Sequence, residues 1–401
     1  MEAPLPPREA WRKIEERLTP LPEETLGRRE AAGRTLARDL LATVDVPAAD
    51  VSAMDGYAVA GAIGPDERRP VAGTVAAGDP PGFGLVPPAV VRIMTGAPVP
   101  AAADRVIPVE ATDGGRDEVV FRSGTAPGEH IRRRGEILRA GDPLLPAGAR
   151  LTPGALALAA THGYAALPVR RAPSVAVMAT GDEVVPPEST PAPGQLRDSN
   201  TDFLLAAGAS LGLRFESLGI APDRVDVLRE TIARGLRSDV LLLCGGVSMG
   251  EFDYVEGVLA DLGCRAVFDA VAIQPGKPLV FATHPGGWIF GLPGNPASVM
   301  VSFWLFVRPA LRCLLGIKDS WWGGALDGVL AAPLPGAGNR DRFLPAAAEP
   351  QDGALRVTPF PPKGSHDLAA YGQGNALVRV RAGAPPAKPG DGCQVMVVLP
   401  P

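Results

Sequence analysis

The sequence predicts a multidomain α/β protein. A doubly wound, mainly parallel α/β domain is combined with an α-rich unit, an inserted β-rich module and a small C-terminal β domain. Three observations carry this expectation. At 401 residues the chain is too long for one ordinary core. After Pro173, strand-like runs alternate with helical runs of about 10 to 15 residues, which implies right-handed crossovers between parallel strands. On both sides of that region, short β-like stretches are separated by Gly and Pro turns.

Composition narrows the class. The 46% hydrophobic and 21% charged content describes a soluble globular protein, and 48 Gly and 44 Pro spread along the chain imply many tight turns. A net charge of -5 with no basic run argues against nucleic-acid binding. Cys244, Cys264, Cys313 and Cys393 have neither zinc-ligand spacing nor a disulfide framework and read as reduced core thiols. The opening MEAPLPPREAWRKIEERL lacks a signal-peptide core, and the longest apolar run, Val299 to Leu315, is interrupted by Arg308 and Pro309 and reads as too short to span a bilayer. A cytoplasmic protein with no membrane segment is expected.

The segment from Arg8 to Leu41 reads as helix, because Trp11, Ile14, Leu18 and then Leu26, Leu36 and Leu40 recur at helical spacing. From Val44 to Ala140 the pattern turns to short strands such as VVRIMTG and EVVFR, and residues 141 to 170 return to helical character. The expected division is therefore 1–43 plus 141–172 as the α-rich unit and 44–140 as its β-rich insertion. Residues 173–322 form the α/β domain, with strands SVAVMAT, RFESLGI and DVLLLC and helices around TDFLLAAGASLG, DRVDVLRETIARGL and DYVEGVLADLG. Residues 323–401, with ALRVTPF, ALVRVRAG and CQVMVVL, form a small antiparallel β domain. In doubly wound sheets ligands sit at the carboxyl ends of the strands.

Four constellations are candidates for chemistry. Thr180-Gly181-Asp182-Glu183 follows a buried strand, where its acids either hold Mg2+ or a pterin or ribose, or simply close a polar turn. Asp198-Ser199-Asn200 precedes an apolar helix that any of the three can cap. Cys244-Gly245-Gly246-Val247-Ser248-Met249-Gly250 links a strand to a helix starting near Asp253, a plausible phosphate cradle, with Asp253 either cap or metal ligand. Two proline-fixed turns follow, Gln274-Pro275-Gly276-Lys277-Pro278 and Leu292-Pro293-Gly294-Asn295-Pro296. Lys277 suits an oxyanion, while Asn295 can cap the helix in which Pro296 takes the first position. Far upstream, SAMDGYAV around Asp55 and MTGAP around Thr95 read locally as turn and strand.

SAMDGYAV, MTGAPVP, TGDEV, DSN, GGVSMGEFDY, PGKP and LPGNPAS occur in the order found in the molybdopterin molybdenumtransferase family, the bacterial relatives of the gephyrin E-domain, and the resemblance covers nearly the whole chain. It implies a four-domain elongated homodimer whose cleft joins the doubly wound domain of one protomer to the β module of the other. It implies adenylyl-molybdopterin and molybdate as substrates, capture of molybdate by the dithiolene sulfurs, and Mg2+-dependent hydrolysis with release of AMP. By motif position, Gly245, Gly246, Ser248, Gly250, Asn200 and Ser199, with Thr180, Gly181 and Asp182, line the nucleotide-pterin groove. Asp223 and Asp253, with Glu183, hold Mg2+ and orient the water. Pro275, Gly276 and Lys277 and the turn Pro293, Gly294, Asn295, Pro296 border molybdate, while Asp55 and Thr95 come from the partner protomer. The upstream adenylyltransferase and acceptor molybdoenzymes are the implied protein partners.

Two departures from the family pattern stand out. Many members have a lysine where this chain has Gln274, and the G-R-x-x-F-x-R pattern survives as Asn339-Arg340 through Phe343 with Pro345 at the second arginine. Arg340 and Ser365 are accordingly left outside the expected oxyanion set. Rival readings are an adenylyltransferase acting one step earlier, which would resemble residues 173 to 320 alone, and a non-catalytic pterin-binding scaffold.

Overall fold

A computed structural model of the chain describes residues 3–246 and 254–398. They divide into two compact units, one formed by Met1–Thr25, Gly33–Ala37 and Pro168–Pro401 and the other by Leu26–Ala32 and Arg38–Leu167.

In the first unit, a six-stranded sheet is formed by β1 (Val175–Thr180), β2 (Phe215–Ala221), β3 (Val240–Cys244), β4 (Arg265–Phe268), β5 (Val280–His284) and β6 (Gly287–Leu292), in the order β2-β1-β3-β6-β5-β4. The first four in that order run parallel, β5 runs antiparallel to β6, and the edge strand β4 runs antiparallel to β5. Every residue of β1 and β3 is buried, as a sheet covered on both faces requires. Helices α1 (Asn200–Ser210), α2 (Val225–Gly235) and α3 (Tyr254–Asp261) make the crossovers. The chain leaves β1 for β2 on one side and then returns to β3 on the other, so the sheet reverses direction at β1/β3, where such folds bind ligands.

The expected helix after LPGNP runs from Pro296 to Leu314. A π turn at Phe303–Val307 lies just before Pro309, which has no N–H to continue the regular ladder. At 19 residues and mean hydropathy 1.4 it is long and apolar enough to cross a membrane, contrary to the expectation from the sequence run. Burial decides its role: 78% of its apolar window is inside the protein, so it is a core helix.

The C-terminal strands close on themselves. Ala325–Leu330, Asp341–Gln351, Ala354–Pro359, Ala376–Val380 and Gly392–Val397 form a barrel, because Asp341–Gln351 pairs with both Ala354–Pro359 and Ala376–Val380. It is not wholly antiparallel: Val329 and Leu330 pair in parallel with Arg356 and Val357. A short strand, Ile273–Gln274, pairs in parallel with the start of Asp341–Gln351 and ties the loop before β5 to the barrel.

The reading of Arg8 to Leu41 as helix holds only for Pro7–Glu15, which buries Trp11 and Ile14. Pro20 and Pro22 follow. Leu26 lies in strand Glu23–Gly27, Leu36 bridges Val169, and Leu40 lies in strand Leu40–Leu41. Leu36 and Leu40 are four apart, a spacing that suits one helix face and equally one strand face, so their burial did not distinguish the two. Residues 141–170 contain the helix Pro153–Thr161, capped by Thr152 Oγ1 accepting from Ala155 N at 3.2 Å, between strands Pro143–Leu145 and Ala166–Arg170.

The second unit is built around a five-stranded sheet ordered Arg105–Pro108, Gly56–Val59, Val90–Ile93, Glu67–Val75, Glu118–Phe121. Tyr57, Ile107, Val119 and Phe121 form part of its core, with the Tyr57 and Phe121 rings edge to face.

Candidate active site

The carboxyl edge of the β2-β1-β3-β6 sheet gathers most of the residues singled out in the sequence. Thr180, at the end of β1, is buried, and its Oγ1 donates to Asp223 Oδ1 beyond the end of β2 at 2.7 Å. The backbone N–H of Asp223 donates to Asp182 Oδ1 at 3.0 Å. Two loops distant in sequence are thereby laced into one acidic patch. Glu183 folds back over the same loop, since a Cβ placed on Gly181 would lie 2.6 Å from Glu183 Oε2. Among the described residues, no group of three or more His, Cys, Asp or Glu forms a preformed metal cage.

Asp198 is the side chain that caps α1: its Oδ1 accepts from Asn200 N (3.1 Å) and Thr201 N (3.0 Å), while Ser199 makes no side-chain cap bond. Asn200 is thus free for another task. Its Nδ2 donates to Gly294 O at 2.8 Å, and its buried Oδ1 has no partner, an acceptor left for a ligand donor. The same contact ties α1 to the turn after β6.

Gly245 and Gly246 follow β3 with φ of 87° and 62°. The expected cradle is modified here, because Gly245 N donates to Leu292 O at 3.1 Å and serves the packing of β3 on β6 rather than an anion. Glycine is nonetheless required: a Cβ on Gly245 would meet Thr180 O at 2.6 Å. Gly245→Ala is expected to cost about 1–3 kcal/mol through overpacking and an unfavourable φ, seen as a fall of several degrees in thermal unfolding. An unchanged melting temperature would refute this close approach. Ser248, Gly250 and Asp253 lie outside the described residues.

Because β5 is antiparallel to β6, with Val280 opposite Gly291, the turn preceding β5 arrives at the same edge as the turn following β6. A cavity of about 290 Å³ opens between these turns and the barrel, lined among others by Lys277, Asn295, Ser298, Arg340, Arg342 and Ser365. Lys277 is exposed, and its carbonyl accepts from Val271 N and Leu279 N, which fixes the turn. Pro296 occupies the first helical turn as expected, but Asn295 makes no side-chain cap bond and its side chain borders the cavity instead. Arg340 and Ser365, left out of the oxyanion set in the sequence, line it too. Ser298, the last residue of LPGNPAS, arrives on the helix after β6, whereas Arg342 carried no sequence signal, since only the pairing of the barrel with the strand before β5 brings it there.

In the second unit, Asp55 and Thr95 are adjacent. Asp55 Oδ1 accepts from Thr95 N at 2.7 Å and from Thr95 Oγ1 at 2.8 Å. These bonds, the backbone one foremost, hold the exposed Asp55 carboxyl below its ordinary range. Gly56 is fixed by sterics: a Cβ there would lie 2.0 Å from Ile107 O on the neighbouring strand.

A doubly wound sheet with an acidic patch and a basic cavity along its carboxyl edge, joined to a small barrel, defines a multidomain α/β protein whose polar groups converge where such sheets bind ligands. Three family profiles match in succession: the MoeA N-terminal region (domain I and II) over residues 5–163, a probable molybdopterin binding domain over 176–313, and the MoeA C-terminal region (domain IV) over 327–398. Molybdopterin molybdenumtransferase 2 of Mycobacterium tuberculosis is 37% identical over 363 residues, covering 88% of this chain and 89% of the relative. Molybdopterin molybdenumtransferase of Bacillus subtilis is 31% identical over 406 residues, covering 98% and 94%. The structure of a molybdopterin biosynthesis moea protein from Pyrococcus horikosii superposes with a TM-score of 0.83 at 29% identity, covering 99% of this chain and all of that one. The chain belongs to the molybdopterin molybdenumtransferase family, whose members are enzymes.

Proposed function

We propose that the chain inserts molybdate into the dithiolene of adenylylated molybdopterin and hydrolyses the phosphoanhydride, releasing AMP. The observation that carries this reading is one sheet edge that presents an acidic patch and a basic cavity, with the turn bordering that cavity tied to α1 through Asn200 and Gly294. A substrate with a phosphoanhydride at one end and a dianion to be captured at the other calls for this polarity. Full-length similarity to the relatives, rather than to the α/β domain alone, favours this step over the preceding adenylylation.

Asn200 Oδ1 is placed to accept from the pterin or the nucleotide, and Asp182 and Thr180 fix the loop carrying Asp223. Lys277, with Arg340, would neutralise molybdate while the dithiolene sulfurs capture it, one molybdate oxygen leaving as water with the two thiol protons. Mg2+ keeps several waters and takes one or two carboxylates together with substrate phosphate oxygens. Asp223 fits this kind of open site, since only its Oδ1 is hydrogen-bonded among the described residues. Asp223, with Asp253 and Glu183, would hold the ion, which supplies charge neutralisation at the phosphoanhydride. The working unit is a cytoplasmic homodimer, in which Asp55 and Thr95 of the partner subunit complete the cleft.

The direct test is purified protein with adenylylated molybdopterin, Mg2+ and molybdate, followed for AMP release and reconstitution of an apo molybdoenzyme. Binding without AMP release would mark a scaffold, and formation of the adenylylated substrate from ATP would mark the earlier step. Lys277→Ala is expected to raise the molybdate requirement by about tenfold, the equivalent of one lost charge-assisted contact, with little effect on binding of adenylylated molybdopterin. An unchanged molybdate dependence would return Lys277 to the surface.

A further inference from the structure

We propose that Arg342 is a molybdate-binding residue of this chain, delivering from the barrel the positive charge that Gln274 lacks. The proposal rests on reading the Lys277 cavity as the molybdate end.

In the short parallel pairing between Ile273–Gln274 and the barrel strand Asp341–Gln351, Gln274 stands directly opposite Arg342. Neighbouring strands are only about 4.8 Å apart, so a long side chain at one of these positions reaches the space served by the other. Both residues line the cavity that holds Lys277.

Strand alternation separates Arg342 from the acid beside it. Asp341 is buried, and its carboxylate is taken by Arg379 Nε and Nη2 at 2.9 and 2.6 Å and by Ala382 N at 2.9 Å. Among the described residues, the guanidinium of Arg342 makes a single long bond, from Nη1 to Gly336 O at 3.4 Å. Arg340, in the bend just before the strand, donates among the described residues to Ile273 O alone, at 3.4 Å. The phenol of Tyr371, also at the cavity, is spent on Phe343 O at 2.9 Å. No Asp or Glu lines the cavity among the described residues, so Lys277, Arg340 and Arg342 face it without a neutralising carboxylate. Three cations around a small cavity match a tetrahedral dianion, and a guanidinium presents paired N–H groups to two of its oxygens.

The test compares Arg342→Gln, Lys277→Ala and the double variant Arg342→Gln/Gln274→Lys with the parent full-length protein. Each is measured for the molybdate dependence of AMP release, for binding of molybdate alone by calorimetry, and for melting temperature. Arg342→Gln is expected to weaken molybdate use and binding by about tenfold at unchanged affinity for adenylylated molybdopterin. Adding Gln274→Lys should restore most of the loss, which a merely structural role for Arg342 would not permit. If Lys277→Ala raises the molybdate requirement and Arg342→Gln does not, the proposal is overturned while the placement of molybdate stands. If neither variant changes it, the placement fails and the proposal with it. A loss in Arg342→Gln that accompanies a lowered melting temperature and resists Gln274→Lys would also overturn it.

Discussion

Asp223→Asn is expected to reduce single-turnover AMP release by roughly 10² to 10⁴-fold, the range for loss of a positioned acid-base group, while the protein stays folded. Thr180 Oγ1 donates to Asp223 Oδ1, and the backbone N–H of Asp223 reaches Asp182. An asparagine keeps an acceptor oxygen for Thr180 and the same backbone N–H, so both structural contacts survive the exchange. What it removes is the negative charge and one hard oxygen, the features needed to hold Mg2+ or to orient the hydrolytic water. Melting temperature and AMP release should therefore separate. Near-normal turnover at normal stability would show that Asp223 only fastens the β1 and β2 loops together, and a parallel loss of both would make it a structural residue.

The α/β domain was legible because its signals are local. The all-buried strands β1 and β3 read as continuous apolar runs, and α2 keeps a helical period. The N-terminal region was not, because Leu36 and Leu40 satisfy two periods at once and only pairing decides between them. Barrel closure, with its one parallel pairing, depends on contacts between strands far apart in sequence that leave no periodic trace.

The site divides along the same line. TGDE and the turns around Lys277 and Asn295 were found because glycine and proline mark loops at strand ends. The cap on α1 was open among three residues, and geometry gives it to Asp198, which releases Asn200 for Gly294. Arg342 was invisible: it falls on an unassigned position between Arg340 and Phe343, and only the pairing of its strand places it opposite Gln274. Gly245 narrows the anion-cradle reading, because its own amide is occupied by Leu292 O.

Mixing Asp55→Ala with Asp223→Ala protein is expected to recover activity that neither has alone. Asp55 lies in the second compact unit, with no cation engaging its carboxylate in a hydrogen bond among the described residues; its contacts are with Thr95. Both bonds go to Oδ1, and Oδ2 accepts no hydrogen bond among the described residues. If the cleft takes Asp55 from one protomer and Asp223 from the other, each homodimer has two damaged clefts. A heterodimer places both lesions in one cleft and leaves the second intact. Random exchange makes half the dimers heterodimers, so about a quarter of parental activity should return. Subunit exchange is confirmed by differently tagged protomers, because recovery requires it. Confirmed heterodimers with no recovered AMP release would place Asp55 and Asp223 of one chain in the same cleft and remove the shared-site reading. An Asp55→Ala homodimer with full activity would remove Asp55 from the chemistry altogether.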